Sequence, residues 1–204
     1  MDRLNFGGTF IPYFLALSLF CGSNALAGAP TEMVKSTVDQ VIKILTDPRY
    51  KGDANKEARR KLLRETIFPH FDFHEMAKRS LGAEWNRRTP QEQKEFMKIF
   101  TDFVENTSVK NIESYDGEKF VFTGERIKDS YAVVEGRILT SERDEITIYY
   151  MLDRTENEWK VYDLVVDGIS FDSNYRSQFT RLIRLEFYEG LVRRIKEKLA
   201  DKKG

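Results

Sequence analysis

The chain of 204 residues contains one cysteine, Cys21, and two histidines, His70 and His74. Cys21 lies in an N-terminal stretch that reads as a removable leader. The remainder of the chain has no thiol, no disulfide and no cysteine-based metal site, so the fold relies on its core alone. Charge of one sign is missing too. Lys plus Arg and Asp plus Glu number 33 each, so no electrostatic argument favours a nucleic-acid partner. There is no Gly-rich phosphate loop and no nucleophile elbow. No apolar run approaches the ~20 residues that a membrane-spanning helix requires.

The longest apolar run is Ile11–Phe20, ten residues preceded by Arg3 and trailed by the small-x-small site Ala25-Leu26-Ala27. This pattern predicts a secretory signal peptide over residues 1–27 and a single domain over 28–204. Phe20 precedes Cys21, where a lipoprotein signal requires a small residue, so no lipid anchor is expected. A hydrophobic content of 41% suffices for one domain with a sizeable core.

From Pro30 to Thr46, Val34, Val38, Val41, Ile42 and Leu45 form one apolar helical stripe, which Asp47-Pro48 ends. A second helix spans about Lys56 to Ile67. A third, short one opens at Asp72, a candidate N-cap with Glu75 three residues on, and stops at Leu81-Gly82. Thr89-Pro90-Gln91-Glu92 is a strong helix start, with a Thr cap, Pro at the first position and an acidic first turn. The helix it opens runs to about Tyr115 and aligns Phe96, Phe100, Phe103 and Thr107 on one face.

After Asp116-Gly117 the period changes to two. Lys119–Ile127, Tyr131–Ser141, Glu145–Arg154 and Glu158–Phe171 read as consecutive strands joined by short hairpin loops. Ile146, Ile148, Tyr150 and Leu152 share one face of the third; Tyr162, Leu164 and Val166 share one face of the fourth. Asp167-Gly168 punctuates the last strand. Asp172 or Ser173 can then cap a helix from Asn174 that carries Tyr175, Phe179 and Leu182 or Ile183 on one side. A break near Glu189-Gly190 leads to a final helix with Leu191, Ile195 and Leu199 as its stripe. Helices, strands and helices in that order give an α+β class. The expected architecture is a four-stranded antiparallel sheet covered on one face by helices, with an apolar cavity between them.

The polar candidates carry little chemistry. His70 and His74 bracket Asp72, but the spacing is loose and no third ligand is evident, so a surface or capping role is preferred. Asp163 and Asp167 are four apart on the predicted strand, hence on one face, with no histidine near enough in sequence to suggest acid–base work. No catalytic residue, metal or cofactor is expected.

One set of short motifs is specific in its order and spacing. It comprises Phe71-Asp72-Phe73 with Met76-Ala77, Leu81-Gly82 with Trp85, and Thr89-Pro90 with Gln93 and Phe96. Trp159-Lys160-Val161-Tyr162-Asp163, Asp167-Gly168-Ile169-Ser170 and Asn174-Tyr175-Arg176 with Gln178-Phe179 complete it. In these the chain resembles the MlaC family, also called the toluene-tolerance periplasmic proteins, over nearly all of residues 28–204. Ser108 stands where these proteins usually carry an aromatic residue, and Asp167 where Glu is common.

The resemblance implies a periplasmic, monomeric, non-enzymatic carrier of glycerophospholipid. Its implied partners are an outer-membrane lipoprotein–porin complex and an inner-membrane ABC lipid transporter. The nearest alternative is a carrier of hopanoid or another apolar lipid. More distant ones are an enzyme, which would need polar groups converging inside the cavity, and a structural module with a closed core. The candidate lipid-binding residues are Phe96, Phe100 and Phe103 of the long helix, and Tyr175, Phe179 and Ile183 beyond the sheet. From the strands come Val134, Ile146, Ile148, Tyr150, Tyr162, Leu164 and Val166. The leader gives the first prediction. Intact-mass measurement of the protein from a periplasmic fraction should find Gly28 at its start, whereas a full-length cytosolic product would contradict export.

Overall fold

The computed structural model describes residues 29–142 and 144–200, so the expected signal peptide lies outside the described residues. Helix α1 covers Ala29–Thr46 and α2 covers Lys56–Ile67, each close to its predicted span. Helix α3, Phe73–Leu81, starts where expected because the Asp72 carboxylate accepts the Glu75 N–H at 2.9 Å. Helix α4, Pro90–Ile112, opens on a complete capping box. Thr89 Oγ1 accepts the Glu92 N–H at 3.3 Å while Glu92 Oε2 accepts the Thr89 N–H at 2.7 Å.

The strands are β1 Lys119–Lys128, β2 Tyr131–Leu139, β3 Glu145–Thr155, β4 Glu158–Val166 and β5 Ile169–Ser170. They form an antiparallel meander in chain order, with five strands rather than the expected four. The extra strand arises because Asp167 and Gly168, with φ of 48° and 78°, make a two-residue turn that folds Ile169 back beside Val166. Glu156 and Asn157 turn β3 into β4 in the same way. Asp167 therefore lies beyond the end of β4, where its carboxylate accepts the Thr147 N–H at 3.0 Å. It is not a same-face partner of Asp163.

Helix α5, Phe171–Ala200, starts three residues before the predicted Asn174. Asp163 Oδ1 accepts the Asp172 N–H at 3.0 Å and Ser170 Oγ accepts the Ser173 N–H at 3.1 Å. The cap is thus assembled from the preceding strands and not from Asp172 or Ser173. The break expected near Glu189-Gly190 occurs at Phe187, whose backbone sits at φ 59°, ψ −179°. Gly190 still matters to it: a Cβ there would collide with the Cβ of Glu186.

Three apolar clusters form the interior. One lies among α3, α4 and α5 and contains Trp85, Phe96, Phe100, Phe179 and Leu191. The second is the sheet face of Ala132, Val134, Ile148, Tyr150, Leu152 and Val161, covered by Val34 of α1. The third joins α2 to α4 through Leu63, Ile67 and Val109. Against the sheet, α1 meets β1, β2 and β4, α3 and the 3₁₀ turn Phe68–His70 before it meet β4, and α5 meets β4 and β5.

Candidate lipid-binding site

Long apolar cargo needs two opposed apolar walls and a polar rim. On the helical side the chain supplies an aromatic stack. The Phe96 and Phe100 rings lie 5.8 Å apart, Phe100 and Phe179 6.2 Å, Phe103 and Tyr175 5.6 Å, and Tyr175 and Phe179 5.5 Å. Their i, i+4 and i+7 spacing on α4 and α5 places them on facing sides of the two helices. Ile183 packs half-buried against this cluster.

On the sheet side, alternation along β2 and β3 puts Val134, Ile148 and Tyr150 on one face, all buried. Burial pushes the Tyr150 phenol well above its ordinary pKa, so it stays neutral. Ile146, opposite Ile138, and Leu164, opposite Tyr150, continue that face half-buried. Val166 lies opposite Ile148 and is 39% exposed.

Tyr162 departs from the expected pattern. The register of β3 with β4 shifts between Met151 and Leu152, so Met151 faces Asp163 while Leu152 faces Val161. Tyr162 is the extra residue of this bulge and does not share a face with Leu164 and Val166. Its ring instead receives the Arg79 guanidinium at 4.2 Å and the edge of Tyr131 at 6.3 Å.

The predicted residues thus fall into two groups, one helical and one on the sheet. Sequence reasoning missed the residue joining them. Phe71 packs half-buried against all three apolar clusters. It pairs in parallel with Val161, and the next N–H, that of Asp72, reaches the Val161 carbonyl at 2.9 Å. Its place in Phe71-Asp72-Phe73, between a 3₁₀ turn at Phe68–His70 and α3, was the available signal.

The polar groups at the sheet–helix corner are structural in arrangement. Asp163 accepts from the Leu164 N–H at 2.9 Å, Ser170 Oγ at 2.6 Å and the Asp172 N–H at 3.0 Å. Asp172 itself is 4% exposed, and neither carboxyl oxygen has a hydrogen-bond partner. Burial, reinforced by the Asp163 carboxylate and opposed by Arg79 and Arg176, raises its pKa to about 8. Among the described residues no three His, Cys, Asp or Glu are grouped to hold a metal, and no helix is long and apolar enough to cross a membrane. His70 lies in the 3₁₀ turn before α3, and exposed His74 packs edge-on to Trp85.

Two apolar layers that share the packing of Phe71 define an α+β domain built around its apolar interior. The MlaC protein family model matches residues 35–197, and the chain belongs to that family. It is 16% identical over 194 residues to the intermembrane phospholipid transport system binding protein MlaC of Haemophilus influenzae, covering 93% of this chain and 91% of that one. The fold is shared with a phospholipid-binding protein from Ralstonia solanacearum solved in complex with a phospholipid. That match has a TM-score of 0.72 at 24% identity, over 85% of this chain and 98% of the other.

Asp172 generates a prediction about pH. Its folded pKa is raised from 3.8 to about 8, so between those values the folded chain keeps a proton that the unfolded chain releases. Stability present below about pH 4 is therefore lost as pH rises through about 8. Asp172→Asn removes this dependence. In denaturant titrations the variant should gain on wild type by an amount on the order of a few kcal/mol between pH 5 and pH 8. Parallel pH profiles for the two proteins would show that Asp172 ionises without penalty.

Proposed function

We propose that the protein is a periplasmic carrier that passes glycerophospholipid between an outer-membrane lipoprotein–porin complex and an inner-membrane ABC transporter. In that role it helps maintain outer-membrane lipid asymmetry. Membership of the MlaC family carries this reading. The name of the Haemophilus influenzae relative and the phospholipid held by the Ralstonia solanacearum protein support it.

The physics of the two walls fits the task. Each buried CH₂ gains about 0.8 kcal/mol, so two chains of about 16 carbons gain roughly 25 kcal/mol gross. A bilayer offers nearly the same, so a carrier that matches it exchanges lipid in either direction. Matching needs a dry apolar space for the tails with the charged headgroup left in water. We place the tails between the aromatic stack of α4 and α5 and the sheet face of Val134, Ile148 and Tyr150, which part on either side of Phe71.

Organic extracts of natively purified protein should contain glycerophospholipid by mass spectrometry. Ile148→Trp, on the proposed lipid face, should lower bound lipid several-fold. Tyr162→Trp, on the bulge and facing Arg79, should leave it within about twofold. A hopanoid-type extract would change the cargo but not the class. Protein that yields no lipid and takes up none from labelled vesicles would overturn the reading.

A further inference from the structure

The outer face of α5 is not used by either apolar wall. Arg176, Ser177, Thr180, Arg181, Arg184 and Leu185 line a shallow open depression along it. Arg176 donates to the Ser173 hydroxyl at 3.1 Å, and none of Arg176, Arg181 and Arg184 forms an ion pair among the described residues. Further along the same helix the contrast is clear. Arg193 and Arg194 are both held by Glu186 at 2.7 Å, and Lys196 by Glu95 at 2.7 Å. In a chain with balanced charge, this stretch carries three guanidinium groups that form no ion pair among the described residues.

Leu185 of this depression and Phe187, two residues further along the chain, are exposed apolar side chains. Leu185 is 69% exposed and Phe187 is 76% exposed, the two most exposed large hydrophobic residues described. Phe187 is held there by a backbone conformation that only glycine adopts without strain, at φ 59°, ψ −179°. The kink turns the next side chain, Tyr188, inward, where its hydroxyl meets the Glu92 carbonyl at 3.3 Å and Arg88 lies over its ring at 4.5 Å.

We propose that this face docks the protein on an anionic bilayer surface. The chemistry favours a lipid surface over an acidic protein. Guanidinium forks match phosphate geometry, and isolated Leu and Phe side chains beside them suit shallow insertion at headgroup level. Such docking is a property of the exterior and holds whichever lipid occupies the interior.

Flotation with extruded vesicles tests it. The mature protein should float with vesicles of phosphatidylglycerol and phosphatidylcholine in equal parts. Association should fall several-fold with phosphatidylcholine alone, or on raising salt from about 0.05 M to about 0.5 M. Reversal of charge in Arg181→Glu with Arg184→Glu should lower association about tenfold or more, each arginine near such a surface being worth about fivefold. Phe187→Gly keeps the kinked backbone, removes only the ring, and should weaken association several-fold at low salt. If the double charge reversal destabilises the fold, Arg181→Gln with Arg184→Gln replaces it. Lipid uptake measured on the same samples separates loss of docking from loss of carriage. Equal flotation of wild type and charge variants would overturn the proposal. So would absence of wild-type flotation with either vesicle, which would assign the basic stripe to an acidic protein partner.

Discussion

The arrangement of sheet against helices depends on one carboxylate. Asp163 sits on β4 and collects the Leu164 N–H, the Ser170 hydroxyl and the N–H of Asp172 at the start of α5. A carboxylate at a helix N-terminus is favoured by the helix dipole and satisfies N–H groups that no helical carbonyl can reach. Here that preference is used across the chain. It stitches β4, the β5 return and α5 into one corner, and so fixes the direction from which Tyr175 and Phe179 enter the aromatic stack. The environment of the Asp172 side chain is a consequence of the same geometry. It enters a buried place beside Asp163 with no partner, and the site tolerates it because it stays protonated well above the ordinary carboxyl range.

Separate packing of the two walls suits them for opening. The aromatic stack is closed on itself by ring contacts between α4 and α5, and the sheet face is closed by α1. Between them cross Phe71, the short backbone pairing of Phe71 and Asp72 with Val161, the contact of Arg79 with the Tyr162 ring, and the Asp163 corner that joins β4 to α5. Parting two satisfied layers along such a seam exposes less apolar area than splitting a single core. In the proposed carrier, acyl chains entering this seam would replace the lost contacts with their own.

Much of this was readable from the residues. The Thr89-Pro90 start, the Asp72 cap and the period change after Asp116-Gly117 rest on local chemistry, and each element lies near its expected place. The features that escaped depend on tertiary partners. The α5 cap is supplied by Asp163, nine residues before Asp172, so the local candidates Asp172 and Ser173 were misleading. The β4 bulge left a trace that strict alternation overrides. Trp159 and Val161 pack with the same sheet cluster as Leu164, which requires a change of phase between Val161 and Leu164. The covering of the sheet by α1 could not be read from its apolar stripe, because a stripe says that a face is buried but not against what. The kink at Phe187 was displaced toward Gly190 because glycine is the usual signal, whereas here the strain falls on the aromatic residue.

The claim that the walls part around the cargo is tested most directly by a distance across them. Described residues contain no cysteine, so a pair of spin labels can be placed at exposed positions such as Arg137 on β2 and Gln178 on α5. Pulsed electron resonance should give a distribution that lengthens by several ångströms when delipidated protein takes up phospholipid, and reverts on its removal. Full uptake of lipid with an unchanged distance would contradict the account and place the cargo elsewhere on the fold.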